Sequence, residues 1–232
     1  MDEDFAAQVA GVGALAEPAR RALYLFVVAQ PEPVSRDQAA AGAGLPRHTA
    51  KFHLDKLVDE GLLETEFRRL SGRAGPGAGR PSKLYRRSAR QVAVSLPDRR
   101  YELAGQVLAR ALEDAAREGG QVLDAVRRAA TETGRNLGAQ ARAEGSAATE
   151  RTALDSLATV LAGHGYEPRV EGTAMVLANC PFHALARDHT QLVCGMNLEV
   201  IGALLDELGH EDVEARLDPA PGRCCVTLGL RD

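Results

Sequence analysis

The 232-residue chain has no apolar run approaching the ~18 residues that a membrane-spanning helix needs, so no membrane partner is expected. It contains no G-x-S-x-G, no H-E-x-x-H and no Walker-type phosphate loop, so a protein that is not an enzyme is expected. The opening MDEDFAAQ is acidic and lacks the basic start of a secretory signal, which points to the cytoplasm. Cysteine is missing until Cys180, and all four cysteines fall in the last 53 residues. Thiols stay reduced in the cytoplasm, so these four are not expected to form structural disulfides. Acidic residues vanish between Arg68 and Arg90, a stretch holding eight Lys or Arg.

A hydrophobic fraction of 45% argues against disorder, and the length allows two domains with separate cores. The net charge of −4 hides an asymmetry. Residues 46–90 hold eleven basic and five acidic residues, a balance of +6, which leaves −10 for the rest. A basic patch on an acidic protein suggests nucleic acid at one end.

The stretch Pro46–Leu63, PRHTAKFHLDKLVDEGLL, explains that patch. Pro46 suits the start of a helix, and Ala50, Leu54, Leu57 and Val58 recur at helical spacing. Arg47, His48, Lys51, Phe52 and Lys56 fall off that stripe, and Thr49 lies beside its exposed N-terminal part. Gly61 supplies the stop. Upstream, Ser35-Arg-Asp-Gln38 reads as a capping box opening a short helix that ends at Gly42 or Gly44. Two short helices joined by a Gly-containing turn predict a helix-turn-helix. Leu62–Arg69 and Lys83–Arg87 read as strands flanking SGRAGPGAGRPS, whose four glycines and two prolines suit only a loop. That makes a β-wing, with Arg73, Arg80 and Lys83 as candidates for phosphate or minor-groove contacts.

Through His53-Leu54-x-x-Leu57-x-x-x-Gly61-Leu62-Leu63 and Gly79-Arg80-Pro81-x-Lys83-x-Tyr85, the sequence resembles the winged-helix repressors of the ArsR/MarR type. The expected fold is α+β. Residues 1–92 form a winged helix-turn-helix, with Met1–Gly13 a loosely packed leader and Glu17–Gln30 a helix packing through Ala22, Leu23, Leu25, Phe26 and Val27. Residues 98–145 form a central helical segment. Ala104, Val107, Leu108, Ala111, Leu112 and Ala115 stripe its first helix, and Val122, Leu123, Val126, Ala129, Ala130 and Leu137 its second. Helices so rich in alanine pack closely, on each other or on a partner chain. Dimerisation is the favoured expectation, because such proteins read two-fold operators as homodimers. Residues 149–232 form a C-terminal domain of a small antiparallel sheet with packed helices: a helix over Glu150–Ala162, a hairpin turning at Gly172, a helix over Gln191–Leu208, and strands over Val213–Leu217 and Cys225–Leu230.

Cys180, Cys194 and Cys224 each fall at an element end, where thiols can point at one centre. Thirteen residues separate the first two and twenty-nine the next, which is not zinc-finger spacing. Cys224 and Cys225 are adjacent and, if extended, face opposite ways, so one of them is expected to join a common site. A free cysteine is often only a small buried hydrophobe, but three in one domain beside His183 favour a metal or cluster site. His164 and His210, beside glycines in polar turns, read as surface residues.

Asn179-Cys-Pro-Phe-His-Ala-Leu-Ala186, Val193-Cys-Gly195 and Gly222-Arg-Cys-Cys-Val226 resemble the SufR-like iron–sulfur-sensing repressors. That resemblance implies a cluster on Cys180, Cys194 and Cys224, and favours iron over zinc, which thiolates also suit. A fourth ligand is open among His183, Asp188, His189, Cys225 and an exogenous molecule. The resulting expectation is a cytoplasmic, dimeric repressor of a double-stranded DNA operator, controlled by an iron–sulfur cluster. The alternative is a winged-helix repressor with an organic effector pocket or a structural zinc site.

Overall fold

The computed structural model describes residues 2–69, 81–145 and 152–231, in two compact units that divide after Val94. The first unit runs α1 (Asp2–Ala14), α2 (Pro18–Val28), β1 (Val34–Ser35), α3 (Arg36–Gly42), α4 (Arg47–Asp59), β2 (Leu63–Arg68) and β3 (Ser82–Arg87). Its three-stranded sheet has the order β1-β3-β2, with both pairings antiparallel.

The capping box forms as the sequence predicts. Ser35 accepts from the Gln38 backbone, and the Gln38 side chain accepts from the Ser35 N–H at 2.8 Å. Pro46 caps α4 from outside, and Gly61, at φ 70°, ends it. The Gly61 N–H donates to Val58 O and the Leu62 N–H to Leu57 O, so the last carbonyls of α4 are satisfied before β2 begins. Ala50, Leu54 and Leu57 are buried with Leu23 and Val27 of α2.

The leader is a correction. Residues from Asp2 onward form α1, whose Ala14 is buried and whose Gly11 lies against Val92 and Leu62. Small residues make that contact, so no large apolar stripe announced it. In α2, Leu25 and Ala22 face solvent, whereas Leu23 and Val27 carry the packing.

The second unit runs α5 (Tyr101–Glu118), α6 (Val122–Ala143), α7 (Ala153–Gly163), β4 (Pro168–Glu171), β5 (Ala174–Leu177), α8 (His183–Asp188), α9 (Thr190–Leu208), β6 (Val213–Leu217) and β7 (Val226–Leu230). The antiparallel sheet has the order β4-β5-β7-β6. Gly172, at φ 64°, turns the β4–β5 hairpin, in which Glu171 pairs with Ala174. Leu157, Leu161, Met175, Leu177, Ile201 and Val226 lie in the core that α7 and α9 share with the sheet.

Helices α5 and α6 fold into this unit with the sheet. Ala104, Val107 and Ala111 are buried with Ala125, Val126, Ala129 and Ala130, and the same cluster takes in Val193, Met196 and Val200 of α9. Helix α6 lies along α9 through Gly134 and Gly138, where an added Cβ would meet Val200 O at 2.2 Å and Glu207 Cβ at 2.8 Å. Leu112, Val122 and Leu123, expected on the packed stripes, are exposed instead.

Candidate nucleic-acid interface and thiol centre

With Ala50, Leu54 and Leu57 turned inward, the opposite side of α4 must carry Arg47, His48, Lys51 and Phe52 into solvent, and it does. Phe52 is 65% exposed, far more than an aromatic ring with a core to join. It sits edge-on to His53, ring centroids 5.3 Å apart. Thr49 and Lys56 are half-buried, and Lys56 pairs with Glu60 one turn on. Arg47 forms a two-pronged contact with Asp37 of α3, each prong 2.6 Å. That contact ties the N-terminal turn of α4 to the helix before it. Arg73 and Arg80 lie outside the described residues.

Lys83, a candidate for phosphate or minor-groove contact, pairs with a carboxylate in the free protein. Its Nζ is 2.9 Å from Asp55 Oδ1, and Tyr85 OH donates to the same oxygen at 3.3 Å. The ammonium also stands 5.1 Å from the Tyr85 ring centroid. Asp55 thus joins α4 to β3 of the wing. Desolvation pushes the Asp55 carboxyl up, but the hydrogen bond and charge of Lys83, with help from Tyr85 and Lys51, outweigh it and hold the carboxyl below the ordinary range. The hydrogen bond to Asp55 in turn raises Lys83.

A depressed carboxyl contributes stability above its unfolded pKa of ~3.9, and that contribution is lost as pH falls through the lower folded value. Asp55→Asn should therefore lower the urea midpoint of the wild-type transition at pH 7, with the difference shrinking as pH drops below ~4. A difference unchanged between pH 7 and pH 3 would contradict a charged clamp.

In the second unit, three chain segments bring the four cysteines into two pairs. Cys180 follows β5, Cys194 lies in the first turns of α9, and Cys224 and Cys225 precede β7. All four are free thiols. Cys180 and Cys224 interact side chain to side chain, as do Cys194 and Cys225. The adjacent pair does not behave as extended strand, because the chain bends at Cys225 before β7 begins. Hence both thiols find a cysteine partner, where simple alternation allowed one.

Cys224 is 2% exposed, and its sulfur accepts from Asn197 Nδ2 at 3.4 Å and from the Val226 N–H at 3.5 Å. The interaction with Cys224 lowers Cys180 to about 7 against the opposing effect of burial, with the Phe182 N–H and the Arg99 charge adding to the fall. Burial and the interaction with Cys225 push Cys194 up to about 12. Cys224 is pushed up by Cys180 and by burial. Of this pair, Cys180 is therefore the thiol that loses its proton more readily.

The other candidates stand apart. His183 opens α8 and is exposed, Asp188 pairs with Arg187, and His189 is exposed. His164 and His210, expected at the surface, are half-buried; burial and then Arg100 lower His164. Among the described residues, no three His, Cys, Asp or Glu side chains surround one point closely enough to hold a metal ion as they stand.

Two polar residues missed from the sequence complete the centre. Asn197 is 1% exposed, and its Oδ1 accepts from the Tyr166 hydroxyl, itself buried. Asn179 donates to Gly165 O at 2.6 Å and to Asp98 O at 3.0 Å, and accepts from Arg99, which also donates to Cys180 O at 3.1 Å. The available signal was Asn197 itself, an amide three residues after Cys194 in an apolar stripe. Tyr166→Phe would leave Asn197 Oδ1 unpaired, at a cost of about 1–3 kcal/mol, read as a fall in the thermal midpoint. An unchanged midpoint would place the amide in contact with water.

A family described as helix-turn-helix domain (HTH_20) has a profile that matches residues 15–66, from before α2 into β2. No curated protein and no solved structure matches the chain. The first unit is thus a helix-turn-helix domain with a wing, and the protein is a DNA-binding transcription regulator. Among the described residues, no helix is long and apolar enough to cross a membrane.

Proposed function

We propose that this regulator is a cytoplasmic homodimeric repressor whose operator affinity is set by an iron–sulfur cluster on the thiols of its second unit. On the DNA side, α4 of each protomer enters the major groove, with half-sites about one helical turn, ~34 Å, apart. Arg47, His48, Thr49 and Lys51 meet base edges, and Phe52 meets a thymine methyl. Wing cations, Arg73 and Arg80 among them, meet phosphates, and Lys56 lies toward the backbone.

The observation that supports the cluster is the two thiol pairs, Cys180 with Cys224 and Cys194 with Cys225, drawn from three distant segments, with N–H donors turned toward sulfur. Thiol donors suit iron–sulfur clusters and zinc alike, and N–H donors stabilise the negative charge that sulfur carries as a ligand. Cys180, Cys194 and Cys224 would hold the group, and Cys225, already against Cys194, is the fourth donor that this geometry favours over His183. A bound cluster supplies a centre that oxidants and nitric oxide destroy. The protein's own part is to hold the sulfurs at the ends of β5 and α9 and at the start of β7, and to keep water from Cys224.

Binding energy at such a site is also folding energy, so loading and loss favour different arrangements of the unit. Anaerobic purification should yield a coloured protein containing iron and acid-labile sulfide. Operator affinity should be at least about tenfold higher for the loaded protein than for the apo protein or a Cys180→Ala, Cys194→Ala double mutant, a coupling of ~1.4 kcal/mol. Equal affinities in all three would overturn the switch even with a cluster present. A colourless protein with stoichiometric zinc would reduce the centre to a structural metal site.

A further inference from the structure

We propose that Cys180 and Cys224 form an oxidative modification site in the metal-free protein, where Cys180 reduces a hydroperoxide and Cys224 then closes a disulfide with it. The inference stands whether or not the thiols also hold a cluster, because it needs only how they are paired.

The pairing follows from the sheet. β5 and β7 are antiparallel neighbours with Val176 opposite Thr227, and the Cys224 N–H donates to Leu177 O at 2.8 Å. That bond holds Cys224 at the end of β5, three residues before Cys180, and Cys180 packs against the core cluster that contains Cys224, where the two side chains interact. Both ends are held. Asn179 and Arg99 fix the chain at Cys180, while Asn197 and Val226 fix the Cys224 sulfur. Cys194 is turned to Cys225 instead, so a crossed link between Cys180 and Cys194 would first have to break that second pair.

The two thiols are also unequal. Cys180 is half-buried, whereas Cys224 is 2% exposed. A more exposed thiol beside a sheltered one is the arrangement of an attacking and a resolving cysteine.

The chemistry balances without a bound group. The Cys180 sulfur attacks one peroxide oxygen, the O–O bond breaks, and the other oxygen leaves as an alcohol or as water after taking up a proton. Cys180 is now a sulfenic acid. The Cys224 sulfur attacks it, the S–O bond breaks, and hydroxide departs as water with the Cys224 proton. Two thiols have given up two electrons and two protons, and the hydroperoxide has been reduced.

The test uses full-length, metal-free, reduced protein and one equivalent of hydrogen peroxide, followed by non-reducing tryptic mapping. Cleavage after Arg187, Arg216 and Arg223 puts Cys180, Cys194 and the Cys224-Cys225 pair in three different peptides. The expected product joins the Cys180 and Cys224 peptides, has lost two hydrogens, and reverts with dithiothreitol. Cys225→Ser should preserve that link. Cys224→Ser should halt at a dimedone-trapped sulfenic acid on Cys180, and Cys180→Ser should slow thiol loss at least about tenfold. The wild-type map decides the matter even if a variant misfolds. A first link between Cys180 and Cys194, between Cys194 and Cys225 or between Cys224 and Cys225, or overoxidation of Cys180 with no link, would overturn the proposal. Iron analysis of the protein as purified is read separately, so failure of the cluster and failure of the disulfide remain distinct.

Discussion

Replacing Arg47 by alanine should cut the preference for a selected operator over random DNA by about tenfold to a hundredfold, the ~1–3 kcal/mol that one good base contact supplies. Arg47 opens α4, the helix proposed to enter the groove, and it is already held in place by the two-pronged contact with Asp37. An exposed ion pair of this kind is worth little to stability, so its loss should leave the fold intact. The contact does cancel a positive charge on the exposed face of α4 in the free protein. Asp37→Ala should therefore raise affinity for random DNA and steepen the salt dependence, the opposite of the Arg47 variant. Competition gel shifts at two salt concentrations measure both. If Arg47→Ala keeps the operator preference, α4 does not read bases through its first turn.

Substituting Gly134 by alanine should destabilise the second unit by about 1–3 kcal/mol, and by valine more, as overpacking of a well-filled contact does. Alanine is ordinarily the better helix residue, so the expected sign runs against propensity. The reason is distance. A Cβ at Gly134 would stand 2.2 Å from Val200 O and 2.9 Å from Ala203 Cβ, and a backbone oxygen has no rotamer with which to yield. Gly105, on α5 with nothing within 4 Å, is the control, and alanine there should stabilise by about 0.5–1 kcal/mol. Thermal or urea unfolding of the two variants beside wild type decides it. A stabilised Gly134→Ala protein would mean that α6 and α9 are farther apart than described.

Gly134 also marks where reading from sequence ran out. The DNA-binding unit was legible because its signals are local: a capping box within four residues, a glycine stop after α4, and two short strands that pair. Each states its own backbone geometry without reference to distant residues. The pairing of Lys83 with Asp55 could not be read for the complementary reason, since a cation counts as free until its surroundings are known, and Asp55 lies on another element.

The alanine-rich stripes of residues 98–143 said only that something packs closely there. The occupant on α6, which is α9, follows it in the chain by some fifty residues, and neither helix names the other. The cysteines divide the same way. Their place at element ends was written in the sequence. Their grouping, Cys180 with Cys224 and Cys194 with Cys225, depends on β5 and β7 being neighbours and on a bend at Cys225. Local hydrogen bonding and steric limits are encoded residue by residue, so the sequence alone determined the helix-turn-helix, its wing strands and the elements that carry the thiols. Which helix fills which groove, which carboxylate takes which cation and which sulfur meets which sulfur are long-range choices made by packing, and only the tertiary structure decided them.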